Sequence, residues 1–162
     1  MTTKSKKFYF FIILALAAID QVSKWLVTRY IEPKIVVDVI KGHFRLWYVR
    51  NSGAIWGFFS GNDNQFVPLL ITALAMIALL IVAFFFLRTP ARCRFELTAY
   101  TIIMGGALGN IIDRLRLGYV VDFLDAYVKS WHFPTFNFAD SCITIGVLLL
   151  AISIWRGKCT PY

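Results

Sequence analysis

The chain has 162 residues, of which 59% are hydrophobic and 17% aromatic, with a mean hydropathy of +0.67. That is too apolar for an ordinary soluble domain and reads as a single polytopic membrane domain over 1–162. The net charge of +8 does not point to nucleic acid, because the basic residues fall mainly in short clusters beside hydrophobic segments and form no basic-aromatic groove pattern.

Lys4, Lys6 and Lys7 precede an apolar run from Phe8 to Ile19, and Ala15-Leu16-Ala17 imitates the cleavage site of a secretory signal. Apolar character resumes after Asp20 and Lys24 and continues towards Ile31. At ~1.5 Å per residue this is enough to cross a hydrocarbon core of ~30 Å, so a first helix is expected over about 8–30 and is retained, with Met1 or Thr2 heading the mature chain. Asp20 and Lys24 lie one turn apart on one face of that helix. They read as a structural ion pair, since an acid paired with lysine is a poor proton donor.

Between 32 and 65 the pattern changes to β-branched and aromatic stretches, KIVVDVI, FRLWYVR and AIWGFF, separated by Lys41-Gly42-His43 and Asn51-Ser52-Gly53. This predicts a small β platform outside the membrane, with Trp47, Trp56, Phe58 and Phe59 as interfacial anchors. Asn51 and Gly53 by themselves read as turn formers.

Residues 66–87 carry no charge, tolerate Pro68 in the first turn, and predict the second span. Arg88, Arg92 and Arg94 follow directly, and a third helix is expected over about 97–115, with Gly105, Gly106 and Gly109 allowing close packing. The fourth is expected over about 138–155, ending at Arg156 and Lys158. The fold class is therefore an all-α polytopic membrane protein of four transmembrane helices with a small extracytoplasmic β platform. Lys34, Lys41, Arg45 and Arg50 in the platform segment weaken the charge asymmetry, partly balanced by Glu32, Asp38 and Asp63. The three basic clusters nevertheless put both termini and the 88–94 turn on the cytoplasmic side.

Helix depth then gathers the polar residues. Asp20 lies ~18 Å from Phe8, Asn110, Asp113 and Arg114 lie ~20 to 26 Å from Leu97, and Asp140 lies ~22 Å from its basic end, so all reach one outer layer. Two acids stand out because each follows directly on apolar residues, Asp122 in VVDF and Asp140 in FNFAD. A lone carboxylate there would be costly, and two brought together would share a proton, one taking a proton from water while the other donates to a carbonyl oxygen. Ser141 and Cys142 have no histidine base in a recognisable spacing. Cys93, Cys142 and Cys159 show no paired spacing and neither histidine lies near a cysteine, so neither a metal site nor a disulfide is expected, and no cofactor is called for.

Two other function classes fit the composition. A proton-coupled transporter would use Asp122 and Asp140 as a relay, but no repeated half or pair of broken helices marks a midplane site. A scaffold packing through GGALG would leave the buried charges without a purpose.

The chain resembles the bacterial lipoprotein signal peptidases (type II signal peptidases) in five ordered blocks: DQVSK at 20–24, RNSGAIWG at 50–57, GGALGNIIDR at 105–114, VVDF at 120–123 and FPTFNFADS at 133–141. One departure is Ile55, where alanine is commoner in that family. The resemblance implies a membrane aspartyl endopeptidase that cuts diacylglyceryl-modified prolipoproteins just before the lipidated cysteine. It implies Asp122 and Asp140 as the catalytic pair, and Asn51, Gly53, Asn110, Arg114 and Asn137 as substrate-binding or supporting residues. Asp20, Lys24 and Asp113 are then structural. The implied partners are the lipid-modified precursor and membrane lipids, the implied location is the bacterial cytoplasmic membrane with the active site near its outer face, and a monomer is expected.

Overall fold

The computed structural model describes residues 4–53, 66–157 and 159. Its elements in chain order are α1 (Lys4–Tyr30), β1 (Val36–Ile40), β2 (Phe44–Asn51), α2 (Phe66–Arg88), α3 (Arg94–Leu117), β3 (Val120–Val128), β4 (Trp131–His132) and α4 (Phe138–Trp155). All four helices are long and apolar enough to cross a membrane. The anchors expected at Trp56, Phe58 and Phe59, the departure at Ile55, the balancing Asp63, the basic Lys158 and the start at Met1 or Thr2 lie outside the described residues.

The helix α3 is the central post, with 67% of its span buried inside the protein against 11% for α2. That explains why it can be the least apolar of the four: its polar and small side chains meet protein and not lipid. The glycines of GGALG set the spacing. A methyl on Gly109 would sit 2.5 Å from the Asp20 carboxylate, and one on Gly105 would sit 2.7 Å from the Leu16 side chain, so both let α1 close against α3. Gly106 faces α4, where an added methyl would collide with the Ala139 carbonyl oxygen and approach Cys142. Apolar packing around Ile13, Phe86, Leu97, Tyr100 and Met104 fills the end of the bundle nearest the α2–α3 turn. There the Lys6 Nζ donates to the carbonyls of Phe86 (3.2 Å) and Leu87 (2.6 Å), satisfying oxygens that the end of α2 leaves unpaired.

The platform differs from the expectation that it lies within 32–65. It is a four-stranded antiparallel sheet in the order β1-β2-β3-β4, and half of its strands come from 120–132. VVDFLDAYV is rich in β-branched and aromatic residues and satisfies the strand pattern. The sheet caps the bundle at the end opposite the α2–α3 turn, where Tyr48, Val121 and Phe123 pack on Val27 of α1 and on Ile31 just beyond it. Chain entry into β3 is sharp: Gly118 adopts a left-handed conformation (φ 78°) and returns its N–H to the Arg114 carbonyl, closing α3.

A second correction concerns the cysteines. Cys93 and Cys159, 66 residues apart, are joined as a disulfide, although their spacing predicts none. They meet only because α3 and α4 pack side by side and bring the α2–α3 turn to the end of α4. Beside the bridge, the buried Glu96 carboxylate accepts from Ser153 Oγ (2.5 Å). The third helix also starts earlier than expected, at Arg94, which places Glu96 in its first turn.

The close α3–α4 approach yields a test. Gly106→Ala would force backbone apart because the clash is with a carbonyl oxygen and not with a flexible side chain. A loss of roughly 1–3 kcal/mol is expected from overpacking of this kind, read as a lower Tm in detergent; an unchanged Tm would show that the two helices do not pack as described.

Candidate active site

Three helices contribute to one buried ion cluster. The Lys24 ammonium, 3% exposed, contacts Asp20 Oδ2 at 2.8 Å and Asp113 Oδ2 at 3.0 Å and donates to Asn110 Oδ1 at 2.9 Å. All three of its protons are thereby used. Each acid has further donors. Asp20 Oδ1 accepts from the Ala139 backbone N–H (2.9 Å), tying α1 to the first turn of α4. Asp113 accepts from Gln21 Nε2 (2.8 Å) and, through Oδ2, from the Val121 N–H (3.0 Å), tying α3 to β3. Gln21 is a member of this network that sequence reasoning does not single out. Its signal is its place in DQVSK between two charges that both face α3.

Asn110 carries the network onward. While its Oδ1 accepts from Lys24, its Nδ2 donates to Asp140 Oδ1 at 2.8 Å. Asp140 is also the third residue of α4 and forms a reciprocal cap with Asn137: Asn137 N–H donates to Asp140 Oδ2 (3.0 Å), and Asp140 N–H donates to Asn137 Oδ1 (3.0 Å). The same Asn137 side chain donates through Nδ2 to Asp122 Oδ1 (2.7 Å) and to Asn110 Oδ1 (3.1 Å). One asparagine thus links both acids.

Asp122, 1% exposed, comes from β3. Its second oxygen accepts from Asn51 Nδ2 at 2.8 Å, and Asn51 in turn accepts the Gly53 N–H through Oδ1 at 2.8 Å. Gly53, at φ 85°, supplies the left-handed turn that aims this contact. Burial pushes the Asp122 carboxyl up to about 6 against the Asn51 hydrogen bond, which favours the ionised form; the neighbouring Asp140 charge pushes the same way as burial, while Asn137 and Lys24 oppose it.

Beside the acids, Arg114, Asn110 and Asp140 line one end of a cavity of about 280 Å³ whose remaining wall is Ala75, Ala78, Ala107 and other apolar side chains of α2, α3 and α4. Small side chains from α2 and α3 keep it open. Arg114 forms no ion pair with a carboxylate among the described residues. Asp125, three residues beyond Asp122, is held elsewhere: it pairs with Arg45 at 2.6 Å and with His132 at 3.1 Å. An odd offset along a strand puts a side chain on the other face, which separates the two acids of β3.

A family model described as signal peptidase (SPase) II matches residues 12–156. A lipoprotein signal peptidase of Nitratidesulfovibrio vulgaris is 43% identical over 152 residues, covering 90% of each chain. One of Geobacter metallireducens is 41% identical over 140 residues, covering 86% of this chain and 85% of its own. Among solved structures, a bacterial membrane enzyme determined by the in meso method at 2.3 Å superposes with a TM-score of 0.80 at 32% identity, over 93% of this chain and 88% of its own. A second, at 1.9 Å, gives a TM-score of 0.78 at 32% identity over 91% and 92%.

The Asn51 contact can be tested by titration. Asn51→Leu removes a donor that favours the ionised Asp122, so the protonated form gains and the apparent pKa rises above about 6. Infrared difference titration of the carboxyl stretch should show that band persisting to higher pH; a shift to lower pH would mean that Asn51 does not donate to this acid.

Proposed function

Since the chain belongs to the signal peptidase II family of aspartic peptidases, we propose that Asp122 and Asp140 are its catalytic dyad, cutting the signal peptide from diacylglyceryl-modified prolipoproteins just before the lipid-bearing cysteine. Lipoprotein signal peptidase activity and a multi-pass place in a bacterial membrane come with family membership. The assignment of residues rests on one observation: two acids from different elements are bridged by a single asparagine beside an apolar cavity.

In this reading the precursor's lipid-bearing segment enters from the bilayer along the apolar wall, and its scissile carbonyl comes to rest over the two acids. The carboxyl group of Asp122 holds the shared proton, as its raised pKa favours. Asp140 takes a proton from the attacking water as the water oxygen bonds to the carbonyl carbon, and Asp122 gives its proton to the carbonyl oxygen. The resulting tetrahedral diol collapses when its C–N bond breaks: the departing nitrogen collects the proton held by Asp140, and one diol hydroxyl gives its proton back to Asp122 as it becomes the carbonyl of the new carboxyl group. The aspartyl mechanism needs no covalent intermediate. Asn51, Asn110 and Asn137 keep the acids aimed throughout, and Arg114 offers a cation to substrate carbonyls at the cavity end. Gly53 shapes the Asn51 turn, while Asp20, Lys24 and Asp113 hold the helices in register.

The single domain 1–162 is oriented, in this proposal, with both termini and the α2–α3 turn in the cytoplasm and the sheet outside, acting as a monomer. The clusters Lys6–Lys7, Arg88–Arg94 and Arg156, all at one end of the bundle, support that sense. Single cysteines introduced at Arg88 or Arg156 should resist an impermeant thiol reagent applied from outside; strong external labelling at either position would overturn the orientation.

Asp122→Asn and Asp140→Asn each keep shape while removing a titratable group. Each should lower cleavage of a lipidated precursor by roughly 10³-fold or more in a protein that still folds and binds precursor, and the double variant should be about as inactive as either, since residues acting as one unit fail together. Near-normal cleavage by folded Asp122→Asn would remove that residue from the mechanism.

A further inference from the structure

A second cavity, about 440 Å³ in volume, opens between the outer part of α1, the end of α3 and the sheet, and its chemistry differs from that of the apolar one. Three cations and one acid reach it: Lys24, Arg50, Arg116 and Asp113. The lysine and the acid are committed to each other, and both oxygens of Asp113 are further occupied by Gln21 and the Val121 N–H. The arginines are not committed to any carboxylate among the described residues.

Arg50 is nevertheless held in place. Its Nε donates to the Tyr48 hydroxyl (3.0 Å), and its guanidinium lies over the Tyr48 and Tyr119 rings at 5.8 and 5.3 Å. Among the described residues the hydrogen bond uses one of its five N–H groups and leaves the outer fork open. Arg116 spends one nitrogen on Gln21 Oε1 (3.2 Å) and likewise keeps donors to offer. Two oriented guanidinium groups in one cavity are a receptor for a tetrahedral oxyanion, the group they match with paired N–H donors.

Position on the fold selects the source of that anion. The cavity wall includes Trp25, and the neighbouring lipid-exposed surface of α1 carries Val22 and Leu26; these three are 59%, 56% and 43% exposed. This is the end of the helices where the bundle gives way to the sheet, and the headgroups of a bilayer crossed by the four helices would lie at that level. We propose that the cavity is a binding site for an anionic phospholipid, with its phosphate between Arg50 and Arg116 and its acyl chains against Val22, Trp25 and Leu26. The site is separate from the dyad and does not depend on the catalytic assignment. Lys24 lines this cavity and also holds Asn110, so a bound lipid would steady the helix positions on which the acids rest.

Native mass spectrometry of the full chain, loaded with phosphatidylglycerol or phosphatidylcholine in detergent, reads the site without turnover. Wild-type protein should retain one phosphatidylglycerol in preference to phosphatidylcholine. Arg50→Gln with Arg116→Gln should retain it at least ~tenfold less, about 1.4 kcal/mol, and Thr28→Trp, which fills the cavity from α1, should do the same with both arginines intact. The Tm of each variant in detergent without added lipid reports whether the fold has survived. Equal retention by wild type and by the variants would overturn the proposal. Release of the lipid by millimolar inorganic phosphate would overturn the lipid as the natural source.

Discussion

The structure depends first on a cation buried where three helices meet. Lys24 is almost fully removed from solvent, and a lone ammonium in that setting would be prohibitively costly. Its charge is tolerable because two carboxylates and an amide oxygen surround it, and those groups are in turn tied to α4 and β3. Asp20 reaches the N-terminal turn of α4, Asp113 reaches β3, and Asn110 reaches Asp140. Removing any one member would leave a buried charge or a hydrogen bond of the others uncompensated, so the cluster specifies one arrangement of helices where apolar packing alone would permit several. The glycine at position 109 belongs to the same constraint, since only hydrogen at that position admits the Asp20 carboxylate.

That cluster also reaches the Asp122 carboxyl. Burial drives its pKa up, helped by the neighbouring Asp140, while the hydrogen bonds from Asn51 and Asn137 and, least of all, the Lys24 charge behind Asn110 draw it down. Two asparagines stand between the cation and the acids. Asparagine suits the task because it both donates and accepts without titrating, and Asn137 uses its oxygen on one acid's backbone and its nitrogen on the other acid's side chain.

The helices were legible because lipid demands it: a long uncharged run that ends at arginine fits a membrane span and little else, and Phe66–Arg88 is the clearest case. The common depth of Asp20, Lys24, Asn110, Arg114 and Asp140 follows from rise per residue alone; four of these side chains form one network, while Arg114 lines the cavity beside Asn110 and Asp140. Long-range pairing was not legible. VVDFLDAYV shows its strand pattern, yet nothing local says that it joins a strand from the first third of the chain, and its acids draw attention away from its backbone. The Cys93–Cys159 bridge is hidden for the same reason, because sequence spacing says nothing about which turn α4 ends beside. Gln21 is missed because a polar residue beside a charge on a helix carries no signal until the facing helix is known.

How Asp122 and Asp140 come to meet despite their separation along the chain is a matter of backbone geometry. After β3 the chain turns back through the short β4, and then Phe136 pairs with Leu124, its N–H donating to the Leu124 carbonyl (3.0 Å) and its carbonyl accepting from Leu124 (2.8 Å). That bridge fixes the returning chain two residues past Asp122, so Asn137 follows it into contact with the acid. Because Asn137 then caps α4, the third helical residue must fold back over it, and that residue is Asp140. The alignment of the acids is therefore set by a strand pair, a bridge and a helix cap in direct succession, of which only the cap uses side chains, the short ones of Asn137 and Asp140. Ala139, between cap and acid, donates its N–H to Asp20, which returns the constraint to the Lys24 cluster. The acids are positioned from the sheet side through Asn51 and Phe136 and from the helix side through Asn110 and Asp20, so a displacement of the sheet relative to the bundle would open the gap between them before it disturbed either acid's own element.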